Sequence, residues 1–196
     1  MLYTIFKILF KTFFLLTSRF EVIGHANIPV SGPVILAANH VSNWDPLVLG
    51  CAVKRRVHFI AKMELFKFPL LGLLLRAWGA FPVRRGHGDR EAIVKSLEIL
   101  KEGKMLGIFI EGGRNKTNPG RIQAQPGAAM LATHSGAPVI PVALINTDHL
   151  FKKKQVVIGA PLTFGDLSGT ASKKELYQQI SQQLATAITG LRPEKA

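Results

Sequence analysis

The chain predicts a single α/β domain, with a mostly parallel central sheet flanked by helices and an N-terminal amphipathic membrane-associating helix. Three observations carry this. Short apolar runs such as Val34–Ala38 and Met105–Ile110 read as buried strands. Between them lie segments with helical periodicity and cap residues, and strands alternating with helices argue a sandwich around a parallel sheet. The chain has 196 residues, with no internal repeat and no linker-like stretch, so one core accounts for it.

Apolar residues fill most of Met1 to Ser18, while Lys7 and Lys11, four apart, share one helical face. The lysines break the stretch into runs shorter than the ~20 residues a spanning helix needs. They also interrupt any signal-peptide core, and no small-residue cleavage site precedes Arg19. Residues 1–18 therefore read as an interfacial helix, with Phe6, Lys7, Phe10, Lys11 and Phe14 associating with the membrane. Its two lysines face anionic head groups. The competing arrangement packs this helix on the protein's own core.

Phe20–Ile23 and Val34–Ala38 are the first two strands, separated by the breaker Gly32-Pro33. Pro46–Val53 is a short helix and Val57–Ala61 a strand. Met63–Trp78 is strongly apolar; Pro69 and Gly72 divide it into two helical pieces that face lipid, line a tunnel or belong to the core. Ala80–Val83 is the next strand. Asp89 caps a helix running to Glu102, with Ile93, Val94, Leu97 and Leu100 as its inner stripe and Gly103 closing it. After the strand Met105–Ile110 comes a polar loop to Gln125, then a helix over Gly127–Ser135 and a strand over Pro138–Ile145. Gln155–Ile158 is a further strand candidate. Ser172 and Glu175 form a capping box for the last helix, whose Leu176, Ile180, Leu184 and Ile188 recur every four residues.

A formal charge of +13 implies polyanionic company: nucleic acid, anionic lipid, phosphorylated substrates or an acidic carrier protein. Nucleic acid is disfavoured, because most of the twelve phenylalanines sit in apolar runs rather than among basic residues. The Lys152-Lys153-Lys154 cluster reads as a solvated loop within reach of anionic lipid. The single cysteine, Cys51, excludes an internal disulfide and reads as core. No G-x-S-x-G elbow and no glycine-rich nucleotide loop occurs. His25, His58, His87, His134 and His149 lack metal-ligand spacing, so neither a metal nor a cofactor is called for.

Chemistry gathers where three predicted strands end. His40 and Asp45 follow Val34–Ala38 in the run Asn39-His40-Val41-Ser42-Asn43-Trp44-Asp45-Pro46. A carboxylate holding one ring N–H leaves the other nitrogen as a free base for a hydroxyl proton. Five residues along a regular helix rotate by about 140°, so His40 must precede the helix and Asp45 lie in its first turn. Arg84-Arg85 ends the next cluster, and Glu111-Gly112-Gly113-Arg114-Asn115-Lys116 forms the last. Ligands of open α/β sheets bind beyond the strands' carboxyl ends, so the three share one mouth. Arginine forks suit phosphate oxygens, and the paired glycines let backbone amides approach an anion.

In their order and spacing, these residues resemble the glycerolipid acyltransferases, most closely the bacterial 1-acyl-glycerol-3-phosphate enzymes, from about Val22 to Leu144. Asn39 to Pro46, Gly79 to Arg85, Phe109 to Asn115 and Val139 to Val142 correspond to the family's four blocks, and Ala61 to Phe66, leading on to Gly72, also fits. The resemblance implies that residues 19–196 form an acyltransferase domain without a cofactor, at the cytoplasmic face of the cell membrane. It makes His40 the general base, Asp45 its partner, and Asn39, Arg84, Arg85, Glu111, Gly112, Gly113 and Arg114 substrate-binding residues. Pro141 takes a packing or acyl-positioning role. Acyl-CoA or acyl-carrier protein would be the donor and a lysophospholipid the acceptor. The third block departs from Phe-Pro-Glu-Gly-Thr-Arg-Ser at Ile110, Gly113 and Asn115, Arg84 replaces a common aspartate, and Gln125 a common lysine. Those departures keep open another acceptor, such as glycerol-3-phosphate or a lyso-aminolipid. The same residues would also suit a non-catalytic lipid- or carrier-binding protein of this fold, or a thioesterase.

Overall fold

The structure is a computed structural model describing residues 2–83, 90–115, 121–164 and 172–193. Arg84, Arg85, His87, the Asp89 cap and Lys116 lie outside the described residues. Among the described residues, seven strands form one sheet in the order β1-β7-β6-β2-β5-β3-β4. They are β1 (Glu21–Ile23), β2 (Val34–Ala38), β3 (Val57–Lys62), β4 (Ala80–Val83), β5 (Met105–Phe109), β6 (Val139–Ile145) and β7 (Gln155–Ile158). All neighbouring pairs are parallel except β6 with β7, so β1 and β7 run against the rest at one edge.

The all-apolar Val34–Ala38 becomes the central strand β2, with every residue fully buried. A strand covered on both faces has no solvent side to mark with polar alternation. Val34, Leu36 and Ala38 face one core, shared with α1 (Leu2–Ser18), α2 (Asp45–Ala52) and α3 (Pro69–Trp78). Ile35 and Ala37 face the other, with α4 (Arg90–Lys101), α5 (Gly127–Ser135) and α6 (Lys173–Gly190). Ser172 caps α6 as predicted, its hydroxyl accepting from the Glu175 N–H at 3.2 Å.

Local expectations need correcting in several places. Pro69 starts α3 at a helix-compatible position, after a short 3₁₀ stretch over Met63–Lys67, but Gly72 lies inside the helix. A Cβ there would come within 3.0 Å of the Phe66 carbonyl, so the glycine marks a close approach rather than a break. On α4, Val94 faces outward, and the buried line is Ala92, Ser96, Ile99 and Leu100. Lys154 is buried rather than solvated, its ammonium donating to the carbonyls of His149 and Leu150.

The first helix packs on the domain with one face only. Phe14 is fully buried, and Phe6, Phe10 and Phe13 lean on the same core. Phe10 meets Trp78 edge-on at 5.6 Å. This excludes Phe14 as a lipid contact. Lys7 also turns inward: its ammonium donates to the Val53 and Lys54 carbonyls, where the end of α2 leaves acceptors without helical partners. Burial lowers the Lys7 pKa. Only Lys11 of the two lysines stays exposed. No helix among the described residues is long and apolar enough to cross a membrane.

Candidate active site

Parallel packing sets the site at the carboxyl ends of β2 and β5, which lie side by side. His40 leaves β2 and Asp45 opens α2, with Pro46 behind it, as the spacing requires. The His40 Nδ1 lies 2.7 Å from Asp45 Oδ2. A carboxylate oxygen only accepts, so Nδ1 is the donor, which in the neutral imidazole leaves Nε2 as the acceptor. The same Oδ2 accepts from the Val41 and Ser42 N–H groups at 2.7 and 2.8 Å. Three donors on one oxygen of a fully buried side chain fix the carboxylate, which in turn fixes the ring. The His40 side chain remains 14% exposed, enough for a substrate to reach it.

Beneath the imidazole lies an aromatic floor that sequence reasoning missed. The Phe109 ring stacks on His40 at 4.1 Å and 17°. Phe59 lies nearly parallel to Phe109, at 6.3 Å and 11°. Gly107 makes room for it, because a Cβ there would meet the Phe59 ring at 2.5 Å. No pattern local to Phe109 announces this contact; it depends on β5 lying beside β2.

Several residues read as substrate ligands instead hold the scaffold. Asn39 is fully buried, its amide donating to the Leu144 carbonyl at 3.0 Å and accepting from the Leu144 N–H at 2.7 Å. It acts as an extra rung between β2 and β6, with both polar ends engaged by Leu144. Glu111 accepts from the His40 backbone N–H at 2.9 Å and from the Asn115 amide at 2.8 Å. Asn115 also donates its N–H to the His40 carbonyl at 2.7 Å. Glu111 and Asn115 thus clamp both sides of the His40 peptide. Asn115 stands where the resemblance has serine, and its longer amide makes the bridge. Gly112 turns the loop with φ 66, a conformation that disfavours a side chain.

Arg114 is exposed at the same loop, with Gly113 beside it. Pro141 packs in β6 against Gly159, whose N–H it accepts at 2.9 Å. Cys51 is buried and its thiol is pushed up to about 12 by desolvation, which removes it as a nucleophile. The arrangement offers a tautomer-locked base at a strand end, beside an exposed cation.

Residues 19–145 match the acyltransferase family. The chain is 32% identical over 163 residues to the 1-acyl-sn-glycerol-3-phosphate acyltransferase of Bacillus subtilis, covering 80% of each. It is 37% identical over 114 residues to the lyso-ornithine lipid O-acyltransferase of Pseudomonas aeruginosa, covering 57% of this chain and 43% of that one. The crystal structure of the 1-acyl-sn-glycerophosphate acyltransferase PlsC of Thermotoga maritima superposes with a TM-score of 0.77 at 26% identity, covering 99% of this chain and 81% of that one. The chain belongs to the acyltransferase family, as an O-acyltransferase built on the PlsC-like fold.

Proposed function

We propose that this enzyme moves a fatty acyl group from a thioester donor, acyl-CoA or acyl-carrier protein, to the free sn-2 hydroxyl of 1-acyl-glycerol-3-phosphate. The product is phosphatidic acid, made at the cytoplasmic face of the membrane. The observation that carries this reading is the His40 ring, held by Asp45 through Nδ1 so that Nε2 is the ring nitrogen turned to the mouth of the sheet. The names of the Bacillus and Thermotoga relatives support the acceptor.

In the reaction, Nε2 of His40 takes the hydroxyl proton as the oxygen attacks the thioester carbon. The tetrahedral intermediate collapses, the C–S bond breaks, and the imidazolium returns the proton to the leaving thiolate. Asp45 stabilises the imidazolium in between. Arg114, with Arg84 and Arg85, grips the acceptor's phosphate, and Gly113, on the turn that Gly112 makes, brings a backbone amide close to it. General base catalysis supplies about 10²–10⁴ in rate, and orientation supplies much of the remainder.

His40→Ala is the direct test: transfer falls by at least about 10²-fold while the circular dichroism spectrum is unchanged. Near-normal turnover would remove the mechanism. A lyso-aminolipid acceptor is the second reading, favoured by the Pseudomonas relative together with Ile110, Gly113 and Asn115 in the third block. Mass spectrometry of products from one labelled donor and a panel of acceptors separates the two. Phosphatidic acid should dominate; an acylated aminolipid as the main product would overturn the assignment.

A further inference from the structure

We infer that the loop joining β6 to β7 is a second membrane contact, one that inserts Phe151 beside the catalytic mouth and takes an anionic bilayer as its partner. The inference rests on the membrane-surface reading of this enzyme and extends it beyond the first helix.

The loop is an ordered one. Asn146 begins it in a left-handed conformation with φ 57, accepts from the His149 N–H at 3.3 Å and donates its amide to the Lys153 carbonyl at 3.0 Å. Beneath it, the buried Lys154 ammonium donates to the carbonyls of His149 and Leu150. The Ser18 hydroxyl, at the end of α1, donates to the same Leu150 carbonyl, and the Lys154 N–H returns to the Ser18 carbonyl at 3.1 Å. Lys153 pairs with Glu21 at 2.9 Å. With the backbone so pinned, Phe151 stands 81% exposed and Leu150 40% exposed.

A phenylalanine held out in water on a braced turn forgoes the stabilisation that burial would bring. Its surroundings name the phase that restores it. Ser18 ties the loop to the last turn of α1, where Leu15 and Leu16 are 51% and 82% exposed. Trp44, 38% exposed, stacks on Phe13 of the same helix at 5.9 Å. Arg19 and Lys152 are exposed beside this apolar rim, and aromatic tips with flanking cations suit an anionic lipid interface. Leu144, just ahead of the loop, is bonded to Asn39, so Phe151 projects from the same end of the sheet as His40. A lipid acceptor would therefore meet the base without leaving the surface.

Vesicle co-sedimentation of the full chain tests this, using phosphatidylcholine alone and phosphatidylcholine mixed with phosphatidylglycerol. Phe151→Ser should lower partitioning onto the mixed vesicles about tenfold, with an unchanged melting temperature. Lys152→Glu should weaken binding to the mixed vesicles and leave binding to phosphatidylcholine as it was. If Phe151→Ser binds like wild type while Leu16→Asp loses binding, the loop contact is overturned and the membrane reading stands. If the unsubstituted chain fails to sediment with either vesicle, both are overturned. Concentration-dependent dimerisation abolished by Phe151→Ser, with vesicle binding intact, would assign the tip to a second copy of the chain and overturn the inference.

Discussion

The two faces of the sheet are finished differently. Over one, α4, α5 and α6 leave a single large apolar side chain exposed among the described residues, Val94. Over the other, α1 exposes six (Leu2, Ile5, Ile8, Leu9, Leu15 and Leu16) and α3 exposes four (Leu70, Leu71, Leu73 and Leu74). Both faces bury a complete core against β2, so the difference is not one of folding need. A helix that only covers a sheet is apolar on one stripe and polar on the other. The helices α1 and α3 are apolar on both sides. Contiguous apolar surface of this kind marks an interaction site, and His40 and its Phe109 floor belong to this same side of the sheet. The proposed chemistry therefore lies on the side of the sheet whose helices leave apolar surface uncovered.

The largest expected effect concerns the dyad on the leucine-rich side. Asp45→Asn should lower kcat by about 10²–10⁴-fold, because an amide no longer enforces the Nδ1–H tautomer of His40. A steady-state assay showing less than a few-fold loss would separate the dyad from the reaction. Next comes the contrast between faces itself. Leu16→Asp should cut vesicle partitioning about tenfold or more, whereas Val94→Asp on α4 should leave it unchanged. Equal losses at the two positions would break the comparison.

A comparable or smaller effect is expected where the faces meet, at the strand ends. Glu111→Gln weakens a charge-assisted clamp on the His40 peptide and should lower kcat by about tenfold with little change in acceptor KM. A raised KM at constant kcat would instead make Glu111 an acceptor ligand. The smallest effect belongs to the side of the sheet covered by α4. Desolvation holds the His58 pKa below its ordinary 6.5, while its Nδ1 lies 3.2 Å from the Met105 carbonyl. Between the folded value and 6.5 the unfolded chain binds more protons, so stability falls as pH drops through that window. His58→Leu should flatten the slope in thermal melts; an unchanged slope would clear His58 of the cost.

Much of this was legible along the chain. Where a segment's role depends on residues within a few positions, reading it is reliable: the Ser172 cap, Pro69 at the start of α3, and His40 five residues ahead of Asp45 all act over one or two turns. The candidate dyad is of this kind, since a loop followed by a helix start brings those two side chains together. Lys7 and Glu111 are not. Each looked like a charge awaiting a lipid or a substrate, and each is held by backbone groups 46 and 71 residues away.

By itself, then, the sequence determined the strand and helix order, the buried all-apolar strand Val34–Ala38 and the His40–Asp45 spacing, because all three rest on local periodicity and turn geometry. Tertiary structure decided which side of α1 is buried, where Lys154 points and what lies under the imidazole. The physical reason is that a helix with apolar residues on more than one face carries no preference for which of them is buried. Only the partners that reach it, Trp44 and Trp78 for the aromatic side, settle which residues are covered and which stay exposed.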